Sequence, residues 1–139
     1  MERREPSARV NQLAFRVIGA AIEVHRHLGP GLLESAYQLA LASELRRHHL
    51  EAKRHVTVPM DYKGDIVGSY QLDFLVEEEL VVETKSIEKF ADVHRAQVIT
   101  YLEVTHLELG LLINFNVARL RDGIKRVVRC MPRAGRDLL

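Results

Sequence analysis

The stretch LDFLVEEELVVETKS, Leu72 to Ser86, constrains this chain more than any other. Two apolar runs of strand length flank three consecutive glutamates, which reads as two antiparallel strands joined by a tight acidic turn. Inside those runs stand Asp73, Glu83 and Lys85, charges placed where core is expected. Alternate residues of a strand share a face, so Glu83 and Lys85 point one way and Val82 and Thr84 the other. Asp73 depends on the register. If Val76 pairs with Leu80 across a loop of Glu77, Glu78 and Glu79, Asp73 falls opposite Glu83 on one face. A two-residue loop would set it against Thr84 and send Glu83 to the far side.

In the first register the two carboxylates repel, with Cβ atoms about 4.5–5.5 Å apart. A divalent cation offsets that repulsion: Mg²⁺ takes oxygen ligands, keeps several waters and is commonly held by one or two carboxylates plus a substrate phosphate. Lys85 would then stand beside the metal, where an ammonium orients an attacking water and stabilises charge developing on phosphorus. The chemistry so assembled is phosphodiester hydrolysis. The alternative is a surface salt bridge between Lys85 and either acid, a common pairing that contributes little.

The rest of the chain supplies a scaffold for those strands. Val10, Leu13, Ala14, Val17, Ile18, Ala21 and Val24 fall at helical spacing over residues 10 to 27, and Gly29-Pro30 ends the pattern. A second helix runs from about Leu32 to His48. Val56, Val58, Met60 and Tyr62 alternate with Thr57, Pro59 and Asp61, a half-buried strand that Pro59 assigns to a sheet edge. Lys63-Gly64-Asp65 is a hairpin turn into a strand from about Ile66 to Val76, and Leu80 to Ser86 forms the next. Residues 88 to 105 return to helical spacing, Leu109 to Phe115 suits a strand buried on both faces, and Ile124 to Val128 is a last strand. The order α, α, β, β, β, α, β, β describes one α/β (α+β) domain, a mixed central sheet flanked by helices, with a core from about residue 10 to 128. From Met131 on, a loose basic tail is expected.

That order, with its charge triplet, resembles the PD-(D/E)XK nuclease superfamily, whose core is a helix, a three-strand meander, a helix and further strands. Asp73 matches the first acidic position and Glu83-Thr84-Lys85 matches (D/E)-x-K, although Leu72 stands where the motif has proline. AQVITYL supplies Gln97 and Tyr101 at i and i+4, similar to the Q-x-x-x-Y motif of the RecB-like branch. GLLESAY supplies Gly31, Glu34 and Tyr37, which resembles the signature of the GxxExxY family within the same superfamily; IEVHRHLGPG and GLLINF are similar to that family as well. The resemblance runs from about residue 11 to 128. It implies a restriction-endonuclease-like core and a Mg²⁺- or Mn²⁺-dependent nuclease acting on DNA. In that scheme Asp73 and Glu83 bind metal with Glu34 as a third ligand, Lys85 activates water, and Gln97 and Tyr101 position the scissile phosphate.

Each added residue also has a plain structural reading. Glu34 lies in a first helical turn, where a carboxylate suits the helix dipole, Tyr37 can be core, Gly31 a backbone allowance, and Gln97 with Tyr101 an amphipathic boundary. His94, one turn before Gln97, borders the same face. The seven histidines lack a zinc-binding spacing.

With 139 residues and 47% hydrophobic content the chain holds core enough for one domain. It has no apolar run of membrane length and no signal-like start, and its single cysteine, Cys130, gives no redox or metal motif. A cytoplasmic protein is the expectation. The net charge of +1 is low for a protein gripping duplex DNA. This motivates a rival reading, a catalytically inactive module binding nucleic acid or a protein partner, with a homo-oligomer also open. The charge is unevenly spread, however. Arg119, Arg121, Lys125, Arg126, Arg129, Arg133 and Arg136 face only Asp122 and Asp137, and Arg46, Arg47, Lys53 and Arg54 form a second cluster. Either group is a solvated face or a place for phosphate.

Overall fold

A computed structural model describes residues 2–3 and 5–131; the expected tail beyond Met131 lies outside the described residues. Strand β1 (Glu2–Arg3) is followed by helices α1 (Ala8–Leu28) and α2 (Glu34–Arg47), then by β2 (Ala52–Tyr62), β3 (Asp65–Val76) and β4 (Leu80–Lys85). Helix α3 (Asp92–Thr105), strand β5 (Leu109–Asn114), a 3₁₀ turn at Leu120–Gly123, β6 (Ile124–Val128) and β7 (Cys130–Met131) complete the chain. Five strands form a sheet in the order β2-β3-β4-β5-β6, antiparallel except for the parallel β4–β5 pair, and β1 pairs with β7 apart from it. This is a restriction-endonuclease-like arrangement, and β2, which carries Pro59, lies at the sheet edge as expected. Among the described residues no helix is long and apolar enough to cross a membrane.

Burial follows the two periods in the sequence. Helix α1 buries Val10, Leu13, Ala14, Val17, Ala21 and Val24, one stripe, and its first turn is capped by the Ser7 hydroxyl accepting from the Val10 N–H at 3.3 Å. Leu80, Val82, Leu109, Leu111 and Ile113 pack with α1 and α2 on one face, whereas Val81 and Leu112 pack with Val98, Tyr101 and Leu102 of α3 on the other. All six residues of β5 are buried, since helices cover both its faces. Helix α3 sits close to the sheet because position 110 is glycine: a Cβ there would come within 2.6 Å of Val98 Cγ1.

Two boundaries differ from the sequence reading. Strand β2 begins at Ala52 instead of Val56, because Ala52, Lys53 and Arg54 pair with Val76, Leu75 and Phe74 although their basic side chains obscure the alternation. Helix α3 begins at Asp92, not near residue 88. The buried Asn114 side chain accepts from the Ile87 N–H at 3.1 Å and donates to the Ile87 carbonyl at 2.9 Å, which holds that segment out of a helix.

The long β2–β3 hairpin changes face partway along. Its ladder runs through Arg54–Phe74, resumes at Val56–Leu72, and skips His55 and Asp73, with His55 in the left-handed region at φ 54°. Phe74 and Val76 consequently pack with α1 and α2, while Leu72, Tyr70, Val56 and Val58 pack on the α3 side although they share one alternation. Asp73 stands at the crossover.

Candidate active site

Val76 pairs with Leu80, so the β3–β4 turn has three residues, Glu77 to Glu79. This is the register that sets Asp73 against Glu83. The ladder runs only as far as Phe74–Val82; beyond it, side chains replace the backbone partners. The Asp73 N–H donates to Glu83 Oε1 at 2.8 Å, and Asp73 Oδ2 accepts from the Thr84 N–H at 2.9 Å and from the Thr84 hydroxyl at 3.3 Å. Each carboxylate thus satisfies the backbone of the opposite strand, and the two acids are held together where the strands part.

The electrostatics of this pair are unfavourable by themselves. Glu83 is only 2% exposed, and burial, then the Asp73 charge, push its carboxyl up to about 8 despite the attraction of Lys85. Tyr101, 3% exposed and edge-on to Tyr70 at 5.9 Å, has its hydroxyl pushed up to about 12 by burial and next by the Glu83 and Asp73 charges. Glu34, half-buried as the first residue of α2, is raised by burial, with Lys85 lowering it and Asp73 raising it further. The structure therefore brings Glu34, Asp73, Glu83, Lys85 and Tyr101 into one electrostatic neighbourhood with more acid than base.

Lys85, Gln97 and His94 line a shared open cleft of about 540 Å³, together with Val93, Ala96 and Thr100. Gln97 and Tyr101 have separate surroundings despite their i, i+4 spacing: Gln97 is exposed in the cleft, while Tyr101 is buried beside Tyr70. His94 Nδ1 accepts from the Ala91 N–H at 2.9 Å, which fastens the start of α3 beside Lys85. A wider cleft of about 600 Å³ lies at the far end of β3 and β4, between α1 and the acidic turn. Within its lining Arg9 pairs with Glu79, while Glu78 pairs with Lys53 and Arg16 donates to the His48 carbonyl.

Three supports of the site were not singled out in the sequence. Thr84 lay on the opposite strand face and bore no charge. Asn114 fastens the segment after Lys85, and Ser86 donates its hydroxyl to the Leu32 carbonyl at 2.5 Å, tying the end of β4 to the loop before α2. That loop is set by Tyr37, fully buried as core and stacked on Phe115 at 4.6 Å. Its hydroxyl donates to the Gly29 carbonyl at 2.5 Å and accepts from the Leu32 N–H at 3.2 Å, while Gly31 takes φ 94°. The G-x-x-E-x-x-Y spacing is thus a turn that delivers Glu34.

A hard divalent cation fits this donor set: carboxylate oxygens only, one of them buried and short of positive charge. Among the described residues, no three His, Cys, Asp or Glu side chains are grouped to hold a metal ion by themselves. A cation here would complete its shell with water and substrate oxygen.

A family model described as the PD-(D/E)XK nuclease superfamily matches residues 11–127. The crystal structure of SSO0001 shares the fold with a TM-score of 0.55 and 19% identity over 70% of this chain. The match covers 51% of that chain, so the protein spans about half the length of this neighbour. No curated protein matches the sequence.

Proposed function

Since this chain belongs to the PD-(D/E)XK nuclease superfamily, we propose that it hydrolyses phosphodiester bonds in DNA with Mg²⁺ or Mn²⁺, in the cytoplasm, as a member of the GxxExxY group with the RecB-like Q-x-x-x-Y arrangement. The observation that carries this is the parting of β3 and β4, where Asp73 meets the buried Glu83 and Lys85 lines an open cleft.

In this reading Asp73 and Glu83 would hold the cation, with Glu34 as a third ligand, direct or through water. When bound, the ion lowers the pKa of a coordinated water and neutralises charge on the phosphoryl oxygens. Lys85 orients the attacking water in the cleft and offsets charge developing on phosphorus. Gln97, exposed beside Lys85, donates its amide to a non-bridging phosphate oxygen. Tyr101, whose raised pKa keeps its hydroxyl protonated, serves with Gln97 to position the phosphate or the water. Thr84 is a positioning residue that keeps Asp73 turned toward Glu83.

The test uses purified protein on single- and double-stranded DNA with Mg²⁺ or Mn²⁺. Cleavage is expected to be abolished by EDTA and to fall at least about 10²-fold in Lys85→Ala and Asp73→Ala. Unchanged cleavage in both variants would overturn the assignment.

A further inference from the structure

Away from the acids, Arg26 of α1, Arg119, and Arg121 of the 3₁₀ turn line a groove of about 310 Å³ together with the apolar Ile22 and Leu120 and with His25. All three arginines are exposed, and Ile22 is 45% exposed. Arg26 pairs with Glu23, whereas neither Arg119 nor Arg121 takes part in an ion pair among the described residues. A groove that combines apolar side chains with guanidinium groups matches an unstacked nucleotide: the base covers the aliphatic surface, and the phosphate takes the forked donors.

The groove is joined to the proposed catalytic centre by a short relay. Lys85 pairs with Asn114 across β4 and β5, Asn116 Nδ2 donates to the Ile87 carbonyl at 3.2 Å, and the Val117 carbonyl is bonded to His25 Nε2 at 2.8 Å. One strand spacing plus five residues of chain places the Arg119 and Lys85 backbones at most roughly 23 Å apart. A single strand entering the cleft reaches that distance within a few nucleotides.

Resting on the nuclease reading, we propose that this groove is a second binding site, one that holds the single-stranded flank of the nucleic-acid substrate by phosphate and base. The low net charge is consistent with this, because grip is concentrated in one place instead of spread over a duplex-sized surface. Binding of a fluorescein-labelled single strand of about 12 nucleotides is followed by anisotropy in EDTA, using the full chain. The double variant Arg119→Glu with Arg121→Glu is expected to lose affinity more than about 10-fold, and the neutral Arg119→Gln with Arg121→Gln to flatten the salt dependence by about 1.4 in the log–log slope. Arg46→Glu with Arg47→Glu, reversing charge at the end of α2, should have a smaller effect, and thermal melting confirms folding.

Unchanged affinity in the Arg119 and Arg121 variants overturns the groove, as do equal losses in the Arg46 and Arg47 variant or binding of duplex alone. Hydrolysis of a small diester, bis(4-nitrophenyl) phosphate, with Mn²⁺ separates the two readings. The groove variants should retain it, and its absence in a wild-type protein whose strand binding depends on Arg119 and Arg121 would sink the hydrolase but leave the groove standing.

Discussion

At the residue scale, Glu83 concentrates the physics of the site. Its carboxyl is raised from 4.5 to about 8 chiefly by burial, so the metal-free native state binds that proton more tightly than the unfolded chain does. The sign follows: the associated stability is fully present below pH 4.5 and is lost as pH rises to about 8, with an upper bound of about 5 kcal/mol. Urea denaturation in EDTA is expected to show a falling midpoint across that window, and Glu83→Gln should flatten it. A midpoint that rises over the same interval would show that Glu83 is ionised and already compensated. Thr84 acts on the same pair more weakly. Thr84→Val keeps the backbone bond to Asp73 and removes the hydroxyl one, so a loss of about 1 kcal/mol in denaturant unfolding is expected.

At the scale of elements, the site is an edge between three structures: the parted β3–β4 pair, the start of α2 and the face of α3. The α2 contribution hinges on Tyr37. Tyr37→Phe preserves the stack on Phe115 but removes both hydroxyl bonds to the loop before Glu34. It should lower stability by about 1–3 kcal/mol, measured by thermal melting, and weaken divalent-cation binding if Glu34 contributes. The α3 contribution hinges on the bare backbone at Gly110. Gly110→Ala forces Val98 aside from a 2.6 Å approach, at a cost of about 1–3 kcal/mol, and displaces the helix bearing Gln97 and Tyr101. The expected readout is a lower melting temperature with activity falling further than stability alone explains.

Across the whole molecule, metal and folding are coupled, because a cation binding only the folded acids stabilises the fold. At about 100 times its dissociation constant Mg²⁺ or Mn²⁺ should add about 2.7 kcal/mol, seen as a melting shift that disappears in Glu83→Gln; no shift in the wild type would argue against a cation at this pair. Much of this architecture was legible in the chain itself. The 3.6-residue stripe of α1, the alternation of Val56 to Tyr62 and the odd-length glutamate turn are local patterns, and local patterns survive without knowledge of what packs against them. The triplet of Asp73, Glu83 and Lys85 could be read for the same reason, since one turn length determines which side chains of two adjacent strands meet. Tertiary structure alone decided the rest: the change of face at His55 and Asp73, the exchange of carboxylates for backbone partners, and the Asn114 and Ser86 ties that bring α2 and α3 to the acids. Those features depend on groups far apart in sequence competing to satisfy the same buried donors and acceptors, and such a competition is resolved only when the chain has folded.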